Sequence, residues 1–108
     1  MATSCFLFTY SVDPNENTEQ FEKAAEKVRR GIANIKYQDW TKLNTVETAF
    51  TGSLRLDAIG MIAKRDQAVE IVKEQIRNVM HDTGAFNDLW VYVALLVDGL
   101  GECQEFGI

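Results

Sequence analysis

The side chains able to do chemistry in this 108-residue chain are few and scattered. His81 is the only histidine. Asp82 follows it, but adjacent side chains point apart, and a His at a helix end is held by the last carbonyls and the helix dipole. Helix capping is the role this pair supports. Cys5 and Cys103 are the only cysteines, too few for a disulfide framework or a zinc site. A tail folded back beside the first strand would bring them together. Otherwise they are buried free thiols, and no Lys or Arg adjoins either to activate it. Glu47 and Asp57 could face each other across a hairpin as a general acid–base pair. Two acids on a strand edge also serve simply to discourage edge pairing. Ser11 has no base nearby, and Gly99-Leu100-Gly101 lacks the lysine and helix start of a phosphate loop. No convergent polar set emerges, so no catalytic or metal-binding residue is assigned and no cofactor is expected.

The elements that would position these groups are easier to read. Cys5–Val12 (CFLFTYSV) is a short apolar, aromatic run stopped by Asp13-Pro14, the pattern of a strand. Its alternation separates Phe6, Phe8 and Tyr10 from Cys5, Leu7 and Thr9. Asn17–Ile35 is a helix, with apolar residues at Phe21, Ala24, Ala25, Val28, Ile32 and Ile35. Asn17 is its cap and Gln20 the reciprocal partner. Glu19–Lys23 and Glu26–Arg30 form i,i+4 pairs worth ~0.2–0.5 kcal/mol each. From Lys36 to Ala63 the pattern is β, with strands around Trp40–Leu43 and Thr45–Thr51, a turn at Gly52-Ser53, and a returning strand over Leu54–Ala63. A rival reading bends the chain near Asn44 and starts the second helix at Asp57. The preferred second helix is Asp66–Met80, with Val69, Val72, Ile76, Val79 and Met80 inward and Gly84 ending it. Leu89–Val97 (LWVYVALLV) is a central strand. The tail 102–108 has no assignment.

This order predicts an α+β fold: a single ferredoxin-like βαββαβ plait over residues 1–108, a four-stranded antiparallel sheet with both helices on one face. The other face must be wet, dimerised or used for binding. The first and last strands neighbour each other at the centre of such a sheet. With Val91, Val93, Leu95 and Val97 turned to the helices, the rings of Phe6, Phe8, Tyr10, Trp90 and Tyr92 are expected on the open face as an interface. Symmetric self-pairing would bury them, so a homodimer is expected.

Sixteen acidic against eleven basic residues give a formal charge of −5. That balance argues against nucleic acid, whose binders carry a basic footprint. It argues the more because neither aromatic strand contains a Lys or Arg to accompany base stacking. No apolar run reaches the ~18 residues of a membrane span, and the start lacks the basic segment of a signal peptide. A cytoplasmic protein with free thiols and no membrane partner is the expectation.

Thr48-Ala49-Phe50-Thr51-Gly52-Ser53-Leu54, preceded by Phe6-Leu7-Phe8-Thr9-Tyr10 and a helix, resembles the S-V-F-x-G-x-L stretch of the small CRISPR adaptation subunit, a family whose first strand ends in Tyr-Asp and whose plan the virulence-associated protein D superfamily shares. The resemblance covers the first half of the chain. It implies a plait, a dimer, and a mobile-element or defence setting. It also implies a metal-binding Asp directly after the strand-one Tyr, but here Ser11 follows Tyr10 and the first acid is Asp13. A divalent-metal nuclease needs carboxylates aimed at one point, so the departure weighs against nuclease activity. Two function classes follow: a non-enzymatic dimeric protein-interaction module, and a small enzyme, either a degenerate metal-dependent nuclease or a cofactor-free plait enzyme.

Overall fold

A computed structural model describes residues 3–108. The order of elements is β1 (Thr3–Pro14), α1 (Glu19–Ala33), β2 (Thr41–Lys42), β3 (Ala49–Arg55), α2 (Met61–Asp82), β4 (Leu89–Val97) and β5 (Gln104–Gly107). The α+β class is as expected, but the antiparallel sheet has five strands and not four, in the order β2-β3-β1-β4-β5. The added strand is the tail that had no assignment. Ile108 extends it by exchanging both backbone hydrogen bonds with Val91, at 2.8 and 3.2 Å.

Helix α1 starts where a side chain can satisfy its first N–H groups. That cap is Thr18, one residue past the expected Asn17, with its hydroxyl accepting from the Phe21 N–H at 3.3 Å. The expected Glu19–Lys23 and Glu26–Arg30 pairs form at 3.2 and 3.8 Å on an exposed face, where each adds little.

The stretch between the helices departs most from expectation. Gly52-Ser53 is not a turn; both residues lie inside β3. A Cβ on Gly52 would stand 3.0 Å from the Phe6 ring and 3.1 Å from Asp39 Oδ1, so this glycine marks a close approach within the strand. The bend lies over residues 43–48, and the helix begins at Met61 with 22 residues. The rival reading, with its bend near Asn44 and its long second helix, describes this region better. A returning strand over Leu54–Ala63 does not exist.

The core fills the space between the sheet and the helices. From α1 it takes Ala25, Val28 and Ile32, and from α2 Ala68, Val72, Ile76 and Met80. From β4 come Leu89, Val91, Val93, Leu95 and Val97, as the alternation predicts. From β1 come Phe6, Phe8, Tyr10 and Val12. This last set corrects the expected facing: Phe6, Phe8 and Tyr10 are buried beneath the helices and do not line the open face. Register explains it. Phe6 is opposite Val97, Phe8 opposite Leu95 and Tyr10 opposite Val93, and residues opposite each other in a sheet share a face. Once the aliphatic residues of β4 turn inward, the rings of β1 must follow them. Burial also pushes the Tyr10 phenol pKa above its ordinary value by desolvation.

Trp40, in the loop after α1, closes this aromatic layer. Its ring meets Phe6 at 5.2 Å and Phe8 at 5.4 Å, both edge-on. Its indole N–H is buried without a conventional acceptor.

Candidate functional site: the open face of the sheet

The side of the sheet away from the helices carries the opposite phase of each strand. On β1 these are Cys5, Leu7, Thr9, Ser11 and Asp13, and on β4 Trp90, Tyr92, Ala94 and Leu96. Register sets Leu7 beside Leu96, Thr9 beside Ala94, Ser11 beside Tyr92 and Asp13 beside Trp90. Leu7, Leu96, Tyr92 and Trp90 are 40–51% exposed, forming one apolar stripe along the two central strands. The Trp90 and Tyr92 rings are nearly parallel, 6.3 Å apart and 16° inclined. Both lean toward β5 over Gly107, where an added Cβ would be 3.4 Å from the Tyr92 ring.

Of the five residues expected as an interface, the structure thus keeps Trp90 and Tyr92 on this face and removes Phe6, Phe8 and Tyr10 to the core. Leu7 and Leu96 were not foreseen. Alternation puts Leu7 in the smaller, more polar phase of CFLFTYSV and Leu96 in the Trp90–Tyr92 phase of LWVYVALLV, and the pairing of β1 with β4 sets both phases on the same face.

Two shallow concavities lie along this stripe. One of about 580 Å³ is walled by Thr9, Ser11, Tyr92, Ala94, Glu105 and Gly107, with backbone from the strands between. The other, of about 360 Å³, is walled by Cys5, Leu7, Leu96, Asp98, Gly99 and Gly101. Neither wall contains a Lys or Arg. Asp13 and Glu105 stand on the same face as the rings, being opposite Trp90 and Ala94 in register.

The groups weighed for chemistry are dispersed. Glu47 lies in the loop before β3 and Asp57 beyond its other end, about 20 Å of strand away. Asp57 accepts from Gln67 Nε2 at 2.7 Å, while Gln67 Oε1 accepts from the Ala58 N–H at 3.0 Å. That pair braces the approach to α2. His81 stacks on Phe86 at 4.6 Å. Cys5 and Cys103 are free and exposed, not buried as expected. Asp13 has no acidic, His or Cys group completing a metal-holding cluster among the described residues.

One polar arrangement was missed by the sequence reading. Asp39 Oδ2 accepts from Ser53 Oγ at 2.6 Å and Oδ1 from the Ser53 N–H at 3.0 Å. These bonds, the hydroxyl one first, hold the Asp39 pKa below its ordinary 3.8. The site ties the loop after α1 to β3. A depressed folded-state pKa contributes stability above the ordinary carboxylate range, and that contribution is lost as pH falls through the folded value. Asp39→Asn should therefore melt lower than the native protein at pH 7. The gap should narrow in denaturation curves taken below about pH 4. A gap independent of pH would mean the carboxylate charge is not what holds the loop.

A second apolar cluster projects at the start of α2, where Ile59 and Ile62 are 95% and 78% exposed. No helix among the described residues is long and apolar enough to cross a membrane. No family model matches the chain, and no curated protein or solved structure matches it either.

Proposed function

We propose that this protein is a small interaction module, without catalysis of its own, that works through the open face of its sheet, and that a second copy covers that face in solution. The observation carrying this reading is the half-exposed stripe of Leu7, Leu96, Tyr92 and Trp90 on the two central strands. A contiguous apolar surface of this kind exceeds what scattered surface residues need explain. Five strands about 4.8 Å apart and the nine residues of β4 at about 3.3 Å each outline a face of roughly 20 by 30 Å. That plane, roughly 600 Å², approaches the ~800 Å² per partner of a standard interface.

The fold on which this face sits is proposed to be a ferredoxin-like plait with an appended edge strand. Support comes from β1 and β4 at the centre, β3 beside β1, and β2 outermost on that side. The resemblance to the small CRISPR adaptation subunit and virulence-associated protein D supports a dimer and a mobile-element or defence setting. Exposed free thiols at Cys5 and Cys103 suit the reducing cytoplasm.

Sedimentation tests the reading. The native protein should run as a dimer at tens of micromolar, and Trp90→Arg should shift it toward monomer by placing a cation in an apolar contact. A native monomer whose Trp90 emits as a solvent-exposed residue would overturn it. Incubation with labelled RNA and DNA in Mg²⁺ or Mn²⁺ tests the enzyme alternative. Metal-dependent cleavage that disappears in Asp13→Asn would replace the module with a nuclease.

A further inference from the structure

The open face has a charge as well as a shape. Its aromatic end is bracketed by Asp13, opposite Trp90, and by Glu105, across from Ala94 on β5. Glu105 lines the larger concavity and Asp98 the smaller, with no basic residue on either wall. Arg55, opposite Thr3 at the far corner, is the one basic residue whose register places it on this face. Exposed Trp and Tyr ring faces attract cations through their quadrupole, Trp most strongly. A carboxylate on either side adds a charge-assisted acceptor.

We propose that this face accepts a basic, extended segment of a partner protein, whose Arg or Lys side chains seat against Trp90–Tyr92 and beside Leu7–Leu96. The inference rests on the open face being the working surface, and it names the chemistry of what that surface takes. Two features select an extended strand. The concavities are strung along β1, one at Cys5–Leu7 and the other at Thr9–Ser11. Their centres are four residues apart on β1, about 13 Å at the rise of a strand, so cations four residues apart on an extended chain would reach both. Symmetric self-pairing presents the same acidic face from both copies, a cost that a basic segment relieves. The partner segment and the second copy therefore compete for one surface.

A capped hexa-arginine peptide titrated at low salt provides the test, read by tryptophan fluorescence and by sedimentation. Binding should change the emission of the native protein but not of Trp90→Phe, and should convert dimer to peptide-bound monomer. Asp13→Asn/Glu105→Gln should weaken binding about ten-fold, equal to ~1.4 kcal/mol. Glu22→Gln/Glu74→Gln, which removes the same charge from exposed positions on the two helices, should leave it nearly unchanged. Equal weakening by both pairs would show attraction to net charge alone and overturn the proposal, as would the absence of binding. A dimer that ignores the peptide would overturn this proposal and leave the self-pairing module standing. A monomer that binds the peptide at Trp90 would do the reverse.

Discussion

Phe8→Ala should cost about 3–5 kcal/mol, the largest loss expected from any single side-chain truncation in this chain. Phe8 has no exposed surface. Its ring stacks on Phe50 at 5.3 Å and 19°, and it meets Trp40 edge-on at 5.4 Å. It lies at the centre of a layer built from β1, β3 and the loop after α1. Truncation removes the transfer energy of the ring and leaves a void that neighbours fixed by strand pairing cannot fill. Leu7→Ala, one residue away on the same strand, is the control: that side chain is 40% exposed on the opposite face, and at a protein concentration dilute enough to keep the chain monomeric its loss should change unfolding stability by less than about 1 kcal/mol. Chemical denaturation of the two variants reads the facing of β1 directly. Equal losses would mean that β1 is buried on both sides.

That facing is where the sequence was hardest to read. Alternation in CFLFTYSV separates two phases but carries no label for inside and outside. The aromatic residues of β4, Trp90 and Tyr92, belong to its outer phase, and extending the same rule to β1 put three core rings on the surface. Register supplies the missing label, because Phe8 sits opposite Leu95 and must share its face. Strand pairing is long-range, so the facing of β1 is fixed by its partner strand as well as by its own alternation. Where the signal is local, the reading was close. The three-four spacing of α1 and the apolar phase of LWVYVALLV place their buried residues correctly.

Glycine misled for a related reason. Gly52-Ser53 has the composition of a turn, yet Gly52 lies in β3, where Phe6 and Asp39 leave no room for a Cβ. The tail offers only Gln104, Glu105, Phe106 and Gly107 to a strand assignment. Its pairing is secured from outside, by Arg65 donating to the carbonyls of Leu100 and Glu102 and by Lys73 lying 5.6 Å over the Phe106 ring. The open face itself was foreseeable from two helices covering one side of a sheet. Its acidic edge was not, since Glu105 joins the face only through β5.

A second glycine makes the contact between the helices. Gly31 lies within α1, and a Cβ there would come 2.5 Å from Val79 Cγ1 on α2. In an isolated helix, replacing Gly by Ala gains about 1 kcal/mol. Here the added methyl has no room. Val79 cannot easily turn aside, because a β-branched side chain in a helix has one strongly preferred rotamer. Parting the helices would loosen Val28, Ile32, Val72 and Ile76 beneath them. Gly31→Ala should therefore destabilise by about 1–3 kcal/mol despite its better helix propensity. Val79→Ala opens the space at a modest cost of its own. The double variant should then recover most of the Gly31→Ala loss, giving a coupling of at least about 1 kcal/mol in the cycle. Additive losses would show that the methyl clashes elsewhere. A stabilised Gly31→Ala would show that α1 and α2 move apart freely and that their close approach is not needed to keep the core shut.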